Sequence, residues 1–185
     1  MATALFEKLD TFLLDTRRVV LAIEGPCAAG KTTLAHKISA RHPDLCSIFY
    51  MDDFFLRPHQ RTPARLSEPG GNVDYERFYS EVVAGVLGGQ PFEYGAYDCR
   101  TQRMRKVSSG RLLSLVVVEG VYSMHPYFGK FYDISLFMGI SKAVQRERLL
   151  IRSPIMFDRF INDWIPKEDA YFEAFDIRSK CDIVI

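Results

Sequence analysis

The sequence predicts an α/β domain: a mainly parallel five-stranded sheet covered by helices on both faces. Three observations carry this expectation. Runs such as Arg18 to Ile23 and Leu112 to Val118 are apolar with almost no polar alternation, as strands buried on both faces must be. Segments with apolar residues at helical spacing separate these runs. The first run also leads directly into Gly25-Pro-Cys-Ala-Ala-Gly30-Lys31-Thr32, a glycine-framed turn set between a strand and a helix.

Leu5, Phe6, Leu9, Phe12 and Leu13 are spaced as one face of a short amphipathic helix ending near Asp15. Arg18 to Ile23 is the first strand. Lys31 to Arg41 suits a helix, with Leu34 and Ile38 one turn apart on its inward face and His42-Pro43 closing it. Cys46 to Tyr50 reads as the second strand. Leu56 to Asn72 is rich in Pro, Arg and Gly without any period, which predicts a surface loop over a site. Helical spacing resumes over Asp74 to Val86. Pro91 to Ser109 alternates loosely and fits two short antiparallel strands. Leu112 to Val118, Tyr132 to Met138 and Cys181 to Ile185 complete the strands. Lys142 to about Lys180 reads as helical, interrupted at Pro154 and Pro166. With no repeat or linker, residues 1–185 form one domain.

Composition narrows the function. With 48% hydrophobic and 13% aromatic residues, the 185-residue chain can bury a core, which excludes disorder. The 24 basic and 23 acidic residues leave a net charge of +1, so no bulk positive field exists to grip nucleic acid or an anionic membrane. Any anion must be bound locally. Cys27, Cys46, Cys99 and Cys181 form no CxxC pair, which argues against zinc and a disulfide framework and for a cytoplasmic setting. No leader pattern opens the chain, and no apolar run approaches the ~20 residues of a membrane span. Oligomeric state is left open, a homo-oligomer included. The absence of a G-x-S-x-G elbow disfavours a serine hydrolase.

The glycine-framed turn matches G-x-x-x-x-G-K-[ST]. Its glycines let backbone N–H groups turn inward as an anion cradle, and the helix start adds partial positive charge. Gly25, Cys27, Ala28, Ala29, Gly30, Lys31, Thr32 and Thr33 are the expected nucleotide-binding residues, with Lys31 reaching the β- and γ-phosphates of ATP. Thr32 offers a hydroxyl to Mg²⁺. Acids at the C-terminal ends of neighbouring strands would complete such a site. Glu119 ends the Leu112 to Val118 run and is the second expected metal ligand. Cys46 to Tyr50 is followed by Met51-Asp52-Asp53-Phe54-Phe55, two adjacent acids meeting two aromatics. Asp74 stands where either a helix N-cap or an acceptor-binding carboxylate would stand.

Gly25 to Thr33, Asp52-Asp53-Phe54-Phe55, Asn72-Val73-Asp74, Tyr97-Asp98 and Val118-Glu119-Gly120 occur in an order that resembles the uridine kinase family of P-loop kinases, which includes nicotinamide riboside kinase. The resemblance spans most of the chain. It implies a P-loop three-layer sandwich with a short helical lid over about 141–165 and an acceptor-site insert over about 55–110. It also implies transfer of the ATP γ-phosphate to the 5′-hydroxyl of a nucleoside-like small-molecule acceptor. Asp52 is then similar to the family's catalytic carboxylate, Asp74 to the residue holding the ribose hydroxyls, and Tyr97 to a residue lining the acceptor pocket. Arg148 and Arg152, four apart and so on one helix face, match the lid arginines.

The sequence departs from the family twice. Arg152 is followed by Ser153 and Pro154 rather than by aspartate and a basic glycine-containing turn, which shortens the lid. Tyr97-Asp98 leads into Cys99 and Gln102, without the aromatic and histidine that recognise a pyrimidine. A kinase for a non-nucleoside alcohol, such as pantothenate or a sugar phosphate, and a nucleotide-binding regulatory ATPase are the alternatives. Asp52 and Asp74 argue against the last, because a regulator has no use for an acceptor-site pair.

Overall fold

The computed structural model describes residues 2–14, 18–109 and 112–185. Five parallel strands form the main sheet: β1 (Val19–Glu24), β2 (Cys46–Tyr50), β5 (Leu115–Glu119), β6 (Ile134–Phe137) and β7 (Ile183–Val184), in the order β2-β5-β1-β6-β7. The remaining strands, β3 (Phe92–Asp98) and β4 (Arg103–Ser109), form a separate antiparallel hairpin.

Alternate residues of the central strands feed two cores, as an all-apolar strand permits. Val19, Leu21 and Ile23 of β1 join Leu115 and Val117 of β5 against α1 (Ala2–Leu14) and α2 (Lys31–Arg41), which contribute Leu5, Leu9, Leu34 and Ile38. Val20, Ala22, Val116 and Val118 face the other way. They meet Phe54, Phe78, Val82 and Tyr94 from the segment between β2 and β5 and Tyr171 from α8 (Ile165–Ala174). The expected three layers are present.

Several boundaries differ from expectation, for identifiable reasons. The third main-sheet strand starts at Leu115 rather than Leu112, because only from there does the chain gain partners on both sides, β1 and β2. The Tyr132 to Met138 run narrows to β6, and Cys181 to Ile185 to the two-residue edge strand β7. Asp15, the expected end of the first helix, lies outside the described residues. The segment 56–72 is not irregular throughout: a 3₁₀ turn (Pro58–Gln60) and a short helix α3 (Pro63–Ser67) form within it, each with proline in its first turn and the second capped by Thr62. A helical run begins at α4 (Tyr75–Phe78), passes through a π turn at Tyr79–Val83 and ends in α5 (Ala84–Gly88).

Pro154 does interrupt the C-terminal helices, separating α6 (Lys142–Arg152) from α7 (Phe157–Arg159). Pro166 does not. It occupies the first turn of α8, preceded by a π turn at Phe160–Trp164 that absorbs the missing amide, so the chain stays helical from Phe157 to Ala174. Among the described residues no helix is long and apolar enough to cross a membrane, and all four cysteines are free.

Candidate active site

Strand register gathers the site. Ile23 of β1 and Tyr50 of β2 both align with Glu119 of β5, so the chain following β1 and β2 leaves the sheet along one C-terminal edge. At that edge residues 25–30 wrap from β1 into α2. Gly25 has φ +136° and would place a Cβ 2.3 Å from the Met138 carbonyl oxygen, while Gly30 starts α2 in the left-handed region at φ 100°. No helical carbonyl can satisfy the first-turn amides of Lys31, Thr32 and Thr33, which makes them donors for an anion. Lys31 is buried, and its Nζ donates to the Gly25 and Pro26 carbonyls at 2.7 and 2.9 Å, holding the ammonium over the loop.

Two further elements clamp this loop. Cys27 N–H donates to Glu168 of α8 at 2.9 Å. Gln145 of α6, fully buried, donates to the Cys27 carbonyl at 3.0 Å, and Arg148 Nη1 donates to the Ala28 carbonyl at 3.0 Å. Burial and the neighbouring Glu168 carboxylate push the Cys27 thiol up to about 12, so it is no nucleophile at neutral pH. Glu24, the last residue of β1, is the loop's anchor from below. It is fully buried and accepts from the amides of Gly25 (3.0 Å), Tyr122 (3.2 Å) and Met124 (3.2 Å), and from the Tyr171 hydroxyl (3.1 Å). Burial raises its carboxyl to about 7 despite these donors.

The expected carboxylates divide by direction. Thr32 Oγ1 donates to Glu119 Oε1 at 2.8 Å, and burial raises the Glu119 carboxyl against the pull of that hydroxyl. The 3₁₀ turn Met51–Phe54 sends the two adjacent aspartates apart. Asp52 is open to solvent but enclosed enough that its carboxyl is raised, with Lys31 and Arg152 acting in the opposite sense. Asp53 instead faces Arg105 of the hairpin and Arg77. Of the pair, therefore, Asp52 shares the loop with Lys31, Thr32 and Glu119.

The residues fit Mg²⁺ in their chemistry. A hydroxyl and a carboxylate already 2.8 Å apart are hard oxygen donors of the kind that bind Mg²⁺ together with phosphate oxygens and water. Thr32 and Glu119 would hold it, and among the described residues no separate cluster of three or more His, Cys, Asp or Glu side chains offers a competing site.

The two roles open for Asp74 are not shared evenly. It is 3% exposed and caps α4, with Oδ1 accepting from Arg77 N–H at 3.2 Å and Oδ2 from Gln60 Nε2 at 2.8 Å and Arg77 Nε at 3.4 Å. The cap is realised, and both oxygens are engaged. Tyr97 is 4% exposed within β3, paired with Met104, so its ring is not an open wall. The arginines of and after α6 lean on aromatics that follow them: Arg146 over Phe157, Arg152 over Phe160 and Arg159 over Trp164. Arg148 and Arg152 are both exposed on α6.

Sequence reading had not singled out Glu24, Gln145 and Glu168. Glu24 had a signal, a lone acid closing an apolar strand. Gln145 and Glu168 had none, since their contacts span 118 and 141 positions.

Solved structures similar to this chain include P-loop kinases. A protein described as a possible uridine kinase from Bacillus stearothermophilus has 22% identity and a TM-score of 0.71, over 98% of this chain and 99% of that one. A candidate fructose transport system kinase from Silicibacter sp. TM1040 has 18% identity and a TM-score of 0.75, over 96% and 97%. D-glycerate 3-kinase from Cryptococcus neoformans has 12% identity and a TM-score of 0.62, over 91% and 90%. No family model and no curated protein sequence matches. The fold is that of the P-loop kinases.

Proposed function

We propose that this protein is an ATP- and Mg²⁺-dependent kinase that transfers the γ-phosphate of ATP to a hydroxyl of a small-molecule alcohol. The observation that supports the reading is that Asp52, unlike Asp53, lies in the field of Lys31 and Arg152; a carboxylate there has no task in nucleotide binding, and we assign it the acceptor's proton. The acceptor oxygen forms a bond to the γ-phosphorus as the bond to ADP breaks, and the hydroxyl proton passes to Asp52 and then to water. Lys31, Arg148 and Arg152 neutralise charge on the transferring group, while the first-turn amides of Lys31, Thr32 and Thr33 cradle the phosphates. Mg²⁺, held by Thr32 and Glu119, would supply further charge neutralisation. We take residues 141–165 as the lid, 55–110 as the acceptor-side insert, and the free thiols as fitting a cytoplasmic setting.

A nucleoside 5′-hydroxyl as acceptor is a second reading. It is favoured by the motif order and by the likeness to the structure described as a possible uridine kinase. The engaged, buried carboxylate of Asp74 weakens it, because a ribose would have to displace Gln60 or Arg77. In its nucleoside form Asp74 and Tyr97 are the acceptor-binding residues.

The test is ADP release with MgATP across uridine, cytidine, adenosine, guanosine, nicotinamide riboside and pantothenate, with Lys31→Ala as the blank. Release that depends on one class of acceptor supports the kinase. Slow release unchanged by every acceptor favours a nucleotide-binding regulator.

A further inference from the structure

The segment that follows the Asp52-Asp53 turn carries more guanidinium than its carboxylates balance, with Arg57, Arg61 and Arg65 and no acid before Glu68. The chain after Asp53 is held to the start of α4 by an antiparallel bridge between Phe55 and Val73, with Leu56 N–H donating to Asn72 O at 3.2 Å and Asp74 N–H to Phe54 O at 2.7 Å. From this fixed base the Pro58–Gln60 turn folds Gln60 back, so that its Oε1 accepts from Arg57 N and Nε at 3.0 and 3.1 Å. Arg57 and Arg77 then share the buried Asp74, at 3.9 and 3.4 Å, and Arg77 also reaches Glu81 at 3.4 Å.

Arg61 is different. Its Nε donates to the Leu56 carbonyl at 2.9 Å, which fixes the plane of the guanidinium, and among the described residues no carboxylate lies within ion-pair distance of it. The Cys99 thiol at the hairpin tip hydrogen-bonds the Arg61 side chain and also lies within the field of the Asp52 carboxylate. A tethered guanidinium whose other contact is the neutral Cys99 thiol is a planar fork without a counter-charge, and the matching partner is a carboxylate or a phosphate. A neutral base or sugar would leave that fork without a counter-charge.

We propose that the acceptor alcohol is itself an anion, carrying a carboxylate or phosphate remote from the hydroxyl, and that Arg61, with Arg57 beside it, receives that group. The inference rests on the kinase reading above and names its substrate class. Arg61 acts as a specificity-determining residue: it fixes the anionic end of the acceptor and so aims the hydroxyl at Asp52.

Matched acceptors isolate the charge: D-glycerate against glycerol and fructose 6-phosphate against fructose, with uridine as the neutral nucleoside, each assayed by ADP release with MgATP. The anionic member of at least one pair should be turned over with kcat/KM at least roughly 30-fold above its neutral partner, the discrimination expected of charge-assisted hydrogen bonds. Which pair responds separates a hydroxy acid from a sugar phosphate. Arg61→Gln should raise KM for that acceptor about tenfold or more while KM for ATP stays within about twofold, and Arg61→Lys should recover part of the loss. Preference for the neutral members, an unchanged acceptor KM in Arg61→Gln, or a change in the ATP KM instead would overturn the inference and leave the kinase standing. No release above the Lys31→Ala blank with any acceptor would overturn the kinase reading and the inference with it. Because Arg61 is exposed, its variants should fold, which a thermal melt checks.

Discussion

Replacing Glu24 with glutamine should remove one component of the pH dependence of stability. The carboxyl is fully buried below the phosphate-binding loop, and burial raises its pKa from 4.5 to about 7, against opposing contributions from the Gly25 and Met124 amides, Lys31 and the Tyr171 hydroxyl. An acid raised in this way holds its proton more tightly in the folded than in the unfolded chain, so ionising it costs stability as pH rises. Below 4.5 both states are protonated and nothing is lost; between 4.5 and about 7 stability falls; above that the loss is constant. The gap corresponds to about 3 kcal/mol in all, of which about 2 kcal/mol falls between about pH 5.5 and 8. Glutamine cannot ionise. Urea unfolding of both proteins at the two pH values should therefore show the variant gaining about 2 kcal/mol relative to wild type on going to pH 8. Comparing the two proteins cancels the other raised carboxyls, such as Asp52, Glu119 and Glu168. Parallel curves would refute the assignment of a buried, proton-holding Glu24.

Lys31→Ala and Asp52→Asn should each lower turnover by roughly a hundredfold or more, but only the first should weaken ATP binding, as calorimetric titration with ATP would show; equal loss in both would remove Asp52 from the acceptor side. Thr32→Val breaks the 2.8 Å bond to Glu119 and should raise the Mg²⁺ concentration needed for half-maximal turnover about tenfold, and an unchanged Mg²⁺ dependence would contradict the ligand pair. Gly25→Ala puts a Cβ 2.3 Å from the Met138 carbonyl at φ +136°, so it should cost about 2 kcal/mol or more in a thermal melt; an unchanged Tm would mean the loop is not held where described. Arg152→Ala should reduce kcat roughly ten- to a hundredfold while KM for ATP stays nearly constant, and a purely KM effect would assign it to ground-state binding instead.

The sheet was legible because burial on both faces writes itself into Val19 to Ile23 and Leu115 to Val118 as unbroken apolar text. The loop at Gly25 to Thr32 was legible because its backbone demands glycine at two fixed places. Helix ends were less so: Pro166 resembles a break, yet a π turn upstream accommodates it, and nothing in Phe160 to Trp164 announces that turn. Prolines and arginines in 56–72 hid a short helix whose signal, Thr62 before Pro63, is one cap long. Within the site, Asp52 and Asp53 are indistinguishable as neighbours in sequence and are separated only by the 3₁₀ turn that points them apart. Asp74 illustrates the opposite case, in which the modest expectation of an N-cap is met in full, with both carboxylate oxygens engaged. Arg61 looked like one of several scattered arginines; its distinction, a tethered Nε and no acidic partner among the described residues, exists only in three dimensions.

The central claim, that phosphate moves to an alcohol rather than to water, is tested most directly by ³¹P NMR of the protein with MgATP and the alcohols named above. A phosphomonoester resonance growing in step with ADP, and absent with Asp52→Asn, is the expected result. Inorganic phosphate as the sole product alongside ADP, formed equally with and without the alcohols, would contradict it.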